Sequence, residues 1–230
     1  MKALSIDIGK KDLKPSVILL GSALLLTLQR YFGFAGFANS NTGMGNPYSP
    51  TIFMFASAFF LLGIIPVCII WFVFKERCRD YGLCIGDKAF GFKSVFILFP
   101  VIAVALLLPA SQTPEMRNFY PFDQSITSVS SSFIQLQLWR GILFYSAWEF
   151  FFRGFMLFGL RKYGGDWFAI CIQTIPQCLW HIGMPTGEIL SSILGGILFG
   201  FLALRTGSIL WPFILHYLIG ITMDSFIILT

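Results

Sequence analysis

Charge is scarce in this chain. Of 230 residues, 16 are Lys or Arg and 11 are Asp or Glu. At 12% charged, against about 25% in ordinary soluble domains, there is too little ionic surface to clothe a water-soluble fold. Short alternating strands are missing as well, which excludes an outer-membrane type of barrel. Internal repeats and low-complexity tracts are absent. The five cysteines make no framework: Cys68, Cys171 and Cys178 fall in apolar stretches, and Cys78 and Cys84 in a loop read as cytoplasmic, where thiols stay reduced. No Cys/His spacing resembles a structural zinc site. Histidine is nearly absent, with only His181 and His216.

What the chain has instead is long apolar blocks, 56% of its residues being hydrophobic. A helix crossing a bilayer needs about 20 mostly apolar residues. The blocks give seven candidate spans: Ser16 to Phe34, Thr51 to Phe74, Val95 to Pro109, Phe133 to Leu160, Trp167 to Trp180, Glu188 to Leu204 and Ile209 to Leu229. The third and fifth are short, and are expected to be tilted, buried or extended through their polar flanks. The expectation is an all-α membrane bundle of about seven transmembrane helices, residues 1–230 forming one membrane domain.

The formal charge of +5 is topological. Lys2, Lys10, Lys11 and Lys14 precede the first span; Lys75, Arg77, Arg79, Lys88 and Lys93 follow the second; Arg161, Lys162 and Arg205 occupy later loops on the same side. Arg30, Arg117 and Arg140 are all that the opposite side carries. By the positive-inside rule the N-terminus is cytoplasmic and Thr230 is outside. A nucleic-acid partner is not expected; the bilayer is, as is a multi-pass protein of the cell membrane. Gly36-Phe37-Ala38 has the look of a signal cleavage site, but the long tail with Asp7 and Asp12 favours a retained first helix.

Ionisable groups at bilayer depth are costly and usually face a cavity or one another. Glu149 lies in Trp148-Glu149-Phe150-Phe151-Phe152-Arg153-Gly154, with Arg153 one helical turn away as an ion-pair partner. Gln177 and His181 are one turn apart after Pro176, which interrupts the helix hydrogen bonding and opens space. His216, Gly220 and Asp224 form a stripe on the last span. A carboxylate and two imidazoles are a set able to activate water and to stabilise an oxyanion. The bland alternative is structural: a neutralising Glu-Arg pair, packing histidines and a wet Asp224. Gly196 and Gly200, four apart, are read as a site of close helix approach with no chemistry of their own.

Glu-Phe-Phe-Phe-Arg-Gly, a histidine about thirty residues on, a glycine-rich helix and then Leu-Trp-Pro-Phe-Ile-Leu-His resemble the CAAX-protease and bacteriocin-processing (CPBP) family of intramembrane peptidases. The likeness covers Phe144 to about Asp224, with support from Tyr81-Gly82-Leu83, and marks residues 133–229 as the catalytic core. It implies that Glu149 and Arg153 match the second glutamate and the arginine of Glu-Glu-x-x-x-Arg. His181 matches the histidine of the second motif, and His216 opens the third. The family's glutamate-histidine pair activates water, and its histidine-asparagine pair holds the oxyanion. Three positions depart from the pattern: Trp148 stands for the first glutamate, Gln177 for a phenylalanine and Gly220 for the asparagine. Glu149 is then the candidate base, with Gln177 or Asp224 a candidate polar partner.

The resemblance implies an endopeptidase cutting a hydrophobic or lipid-modified peptide without a covalent intermediate or cofactor. Two alternatives stay open. One is a zinc-dependent peptidase with Glu149, His181 and His216 as ligands. The other is a catalytically impaired member acting as a membrane binding or immunity-type protein.

Overall fold

A computed structural model describes residues 9–33 and 49–230. The tail with Lys2 and Asp7 and the Gly36-Phe37-Ala38 stretch lie outside the described residues. The described residues are mainly helical, with no strand among them. In chain order the helices are α1 (Lys10–Phe32), α2 (residues 49–74), α3 (residues 88–111), the short α4 (Pro114–Phe119), α5 (residues 131–164), α6 (residues 166–180), α7 (Thr186–Thr206) and α8 (Leu210–Leu229). Among the described residues five helices are long and apolar enough to cross a membrane: Lys11–Phe32, Pro50–Phe74, Lys88–Ser111, Thr186–Thr206 and Leu210–Leu229. The outward faces of several helices are apolar, with Leu20, Phe72, Phe96 and Leu194 all exposed, as lipid contact requires.

Local chemistry sets the boundaries. Asp87 caps α3, its carboxylate accepting from the Phe90 amide at 3.0 Å. That cap starts the helix seven residues before the sequence-based span, so the short third span is extended through its polar flank. Gly165, at φ 84°, ends α5 and lets α6 turn back. Gly207, at φ 67°, closes α7, with the Ser208 amide bonding the Ala203 carbonyl at 3.1 Å.

Packing against α6 explains the small residues of α7. A Cβ on Gly196 would stand 2.6 Å from Thr174 Oγ1, and Gln173 Nε2 donates to the Gly196 carbonyl at 2.9 Å. Inside the bundle, α5 supplies the central apolar face, with Phe151, Phe152, Phe155 and Leu157 fully buried.

Arg140 corrects the loop assignment. It sits within α5, almost fully buried, and its Nη1 donates to Asp224 Oδ2 at 2.8 Å. Gln137 Nε2 donates to the same oxygen at 2.6 Å. Asp224 is therefore neither wet nor incidental: it neutralises a buried cation and ties α8 to α5.

Candidate active site

Glu149 and Arg153 lie on α5, whose hydrogen bonding widens to π-helical turns on either side of Glu149, at Arg140–Tyr145 and Phe150–Phe158. Such turns are frequent at functional sites. Both side chains are fully buried. The pair is held by proximity more than by ideal bonding. Arg153 Nη1 reaches Glu149 Oε1 at 3.4 Å, while Nε stands 3.3 Å from Oε2 without hydrogen-bond alignment. Arg153 Nη2 also donates to the Gly195 carbonyl at 3.3 Å.

The shorter contact of Glu149 is to α8. Its Oε1 lies 2.6 Å from His216 Nδ1. An ionised carboxylate only accepts, so Nδ1 carries the hydrogen and Nε2 is the ring nitrogen left for other work. The imidazole packs on Tyr145, ring centroids 4.6 Å apart, and on Phe199 at 5.3 Å.

His181 closes α6. Its Nδ1 lies 2.7 Å from the Gln177 carbonyl, an acceptor, which again places the hydrogen on Nδ1 and leaves Nε2 as the free nitrogen. Gln177 thus serves His181 through its backbone. Its side chain turns to the Ser192 carbonyl on α7, a long 3.4 Å contact.

His181 and His216 line one cavity of about 30 Å³. About 10–15 Å³ of such space holds a water, so one or two fit. Trp148 forms part of the wall, set edge-on to the His181 ring with centroids 5.8 Å apart. Glu149 does not line the cavity and reaches it only through His216. Asp224 and Gln177 do not line it either.

Two lining residues have no place in the sequence expectation. Glu188, in the first turn of α7, stands with Oε1 4.0 Å from His181 Nε2. Tyr120, from the connection between α4 and α5, donates its hydroxyl to that oxygen at 2.7 Å. Burial, with the Glu188 carboxylate beside it, pushes the Tyr120 hydroxyl well above the usual phenol range and keeps it a donor. An acid just after Pro185 reads in sequence as an ordinary helix start. Its rarity in an apolar span was the available signal.

The geometry agrees with one further observation. Residues 131–222 match the family of the type II CAAX prenyl endopeptidase, Rce1-like. This part of the chain is similar to that family. Together with the long apolar helices, the match supports an integral membrane protein. No curated protein and no solved structure matches it.

Among the described residues no three His, Cys, Asp or Glu side chains group as ligands. Glu149 is engaged by His216 and Arg153.

Proposed function

We propose that the protein is an intramembrane endopeptidase of the cell membrane, hydrolysing a hydrophobic or lipid-modified peptide with an activated water. One observation carries this. Two imidazoles from separate helices line a single water-sized cavity, each with Nδ1 engaged and Nε2 left over, and one of them is backed by a buried carboxylate. In that arrangement Glu149 acts through His216, accepting from Nδ1 and pairing with the imidazolium that His216 must be to donate from Nε2 as well. His216 Nε2–H is then a donor for the developing oxyanion. His181, neutral with its lone pair on Nε2, accepts from the attacking water. Arg153 stands beside Glu149 as its ion-pair partner.

The cavity lies under Tyr120 and Phe122 of the connection between α4 and α5, and beside Met184. These lie at the end of the bundle opposite the basic loop at 75–87. By the charge asymmetry that end is outside, so the substrate enters from the outer leaflet. The space holds water but no peptide, so the aromatic wall must part for the scissile carbonyl to enter.

The test uses purified protein in detergent with a lipidated and an unmodified hydrophobic peptide. Cleavage lost in both His181→Ala and Glu149→Gln supports the proposal. Cleavage equal to the unaltered protein in both variants removes it and leaves the membrane binding or immunity-type alternative.

A further inference from the structure

The peptidase proposal leaves two roles vacant, because Trp148 replaces the carboxylate and Gly220 the amide that the family pattern places there. We propose that Glu188 is the water-activating base and that the Tyr145 hydroxyl is an oxyanion donor, the two roles being refilled from other positions. This inference rests on the peptidase proposal.

Glu188 is placed for the first role. Its side chain is largely buried, 21% exposed, and lines the same cavity as His181 and His216. Oε1 takes the Tyr120 hydroxyl at 2.7 Å and keeps a second lone pair, while Oε2 is buried without a hydrogen-bond partner. A water donating both hydrogens at about 2.8 Å spans acceptors roughly 4.4 Å apart. Glu188 Oε1 and His181 Nε2 are 4.0 Å apart, close to that span. A helix-start acid needs only the dipole and solvent to be content. Drawing the carboxylate into the bundle beside an imidazole and a tyrosine is not explained by the dipole.

Tyr145 is placed for the second role. A Cβ on residue 220 would collide with the Tyr145 hydroxyl, so that hydroxyl fills the space where an asparagine side chain would begin. Glycine at 220 is what admits it. The ring packs on His216 and the residue lines the cavity. Among the described residues no group hydrogen-bonds the Tyr145 hydroxyl, which leaves it free to donate. His216 Nε2–H and the Tyr145 O–H then supply the two donors that an oxyanion hole requires.

The step balances without a further reactant. The water oxygen forms a bond to the scissile carbonyl carbon, one water proton passes to the Glu188 carboxylate, and the carbonyl π pair moves to oxygen. That oxyanion accepts from His216 and Tyr145. On collapse the C–N bond breaks, its electron pair stays on nitrogen, and the proton held by Glu188 goes to the leaving amine. The products are a carboxylic acid and an amine, and Glu188 is again ionised.

The experiment measures kcat and KM on two quenched fluorescent peptides, one S-farnesylated and one unmodified and hydrophobic. The proteins are the unaltered chain, Glu188→Gln, Glu188→Asp, Tyr145→Phe, His181→Ala and the double variant Trp148→Glu/Glu188→Gln, each with its unfolding midpoint in detergent. Glu188→Gln is expected to lose about 10²–10⁴-fold in kcat, and Tyr145→Phe about 10²–10³-fold, with KM little changed. Glu188→Asp, which keeps the charge but shortens the reach, is expected to lose less than Glu188→Gln. Trp148→Glu, restoring a carboxylate to the cavity wall, is expected to recover at least about tenfold of the Glu188→Gln loss. If Glu188→Gln and Tyr145→Phe turn over like the unaltered chain while His181→Ala is inactive, this inference is overturned and the peptidase proposal stands. If the unaltered chain cuts neither peptide, or His181→Ala cuts both normally, the peptidase proposal fails and takes this one with it.

Discussion

Glu149 Oε1 and His216 Nδ1 meet at 2.6 Å although 67 residues separate them. The contact joins α5 to α8 inside the bundle, and Arg153 stands on the other side of the carboxylate. The two fully buried side chains and the partly buried imidazole thus form one row, with the imidazole at the cavity end.

Removing the charge at the middle of that row has two consequences. Glu149→Gln leaves Arg153 buried without its counter-ion, which is expected to cost about 3–5 kcal/mol of stability. It also puts a neutral amide, able to present NH2 as well as oxygen, where His216 Nδ1 met a carboxylate, and a fall in kcat of about 10²–10⁴-fold is expected. Denaturation in detergent and steady-state kinetics read the two effects separately. A variant as stable and as active as the unaltered chain contradicts both.

The Arg140–Asp224 pair is expected to be structural in the same sense. Asp224→Asn strands a buried guanidinium that three aromatic rings surround, Tyr120, Phe122 and Tyr145. A loss of about 3–5 kcal/mol is expected, and the double variant Arg140→Met/Asp224→Leu is expected to lose less than Asp224→Asn alone. Unfolding midpoints for the pair of variants check this. A double variant that loses as much as Asp224→Asn, or more, contradicts the pairing.

Helix approach at Gly196 sets a third expectation. Gly196→Ala pushes a methyl against Thr174 and is expected to cost about 1–3 kcal/mol. Gly195→Ala, one residue away with open space around its Cβ position, is expected to cost far less. Equal midpoints for the two variants contradict the packing account.

Topology is open to labelling. In a cysteine-free background, Thr127→Cys in the exposed connection before α5 is expected to react with an impermeant maleimide on intact cells. Arg79→Cys in the basic loop is expected to react only after permeabilisation. The reverse pattern turns the protein over and brings the cavity to the cytoplasm.

Much of the architecture was legible because the apolar runs are long and the glycines that end helices are plain. Gly165 and Gly207 fall where the spans were divided. The start of α3 was missed because Lys88 and Lys93 depress the hydropathy of a turn that Asp87 caps. Glu149, Arg153, His181 and His216 stood out as polar residues in apolar surroundings. Arg140 and Asp224 were misjudged because a charge near a helix end looks wet until its partner is known, and that partner is 84 residues away. Glu188 and Tyr145 gave still weaker signals. The acid sits at an ordinary helix start, and one tyrosine among Phe144, Trp148 and Phe150 looks like packing. Only the folded bundle brings either to the cavity.

The most direct test of the shared site is the coupling between its imidazoles. His181→Ala, His216→Ala and the double variant are compared by kcat/KM on a peptide that the unaltered chain cleaves. Groups acting as one unit give strongly non-additive losses. The double variant is therefore expected to be no slower than the worse single variant, within about threefold. Losses that multiply, or a single variant with full activity, contradict a common hydrolytic centre.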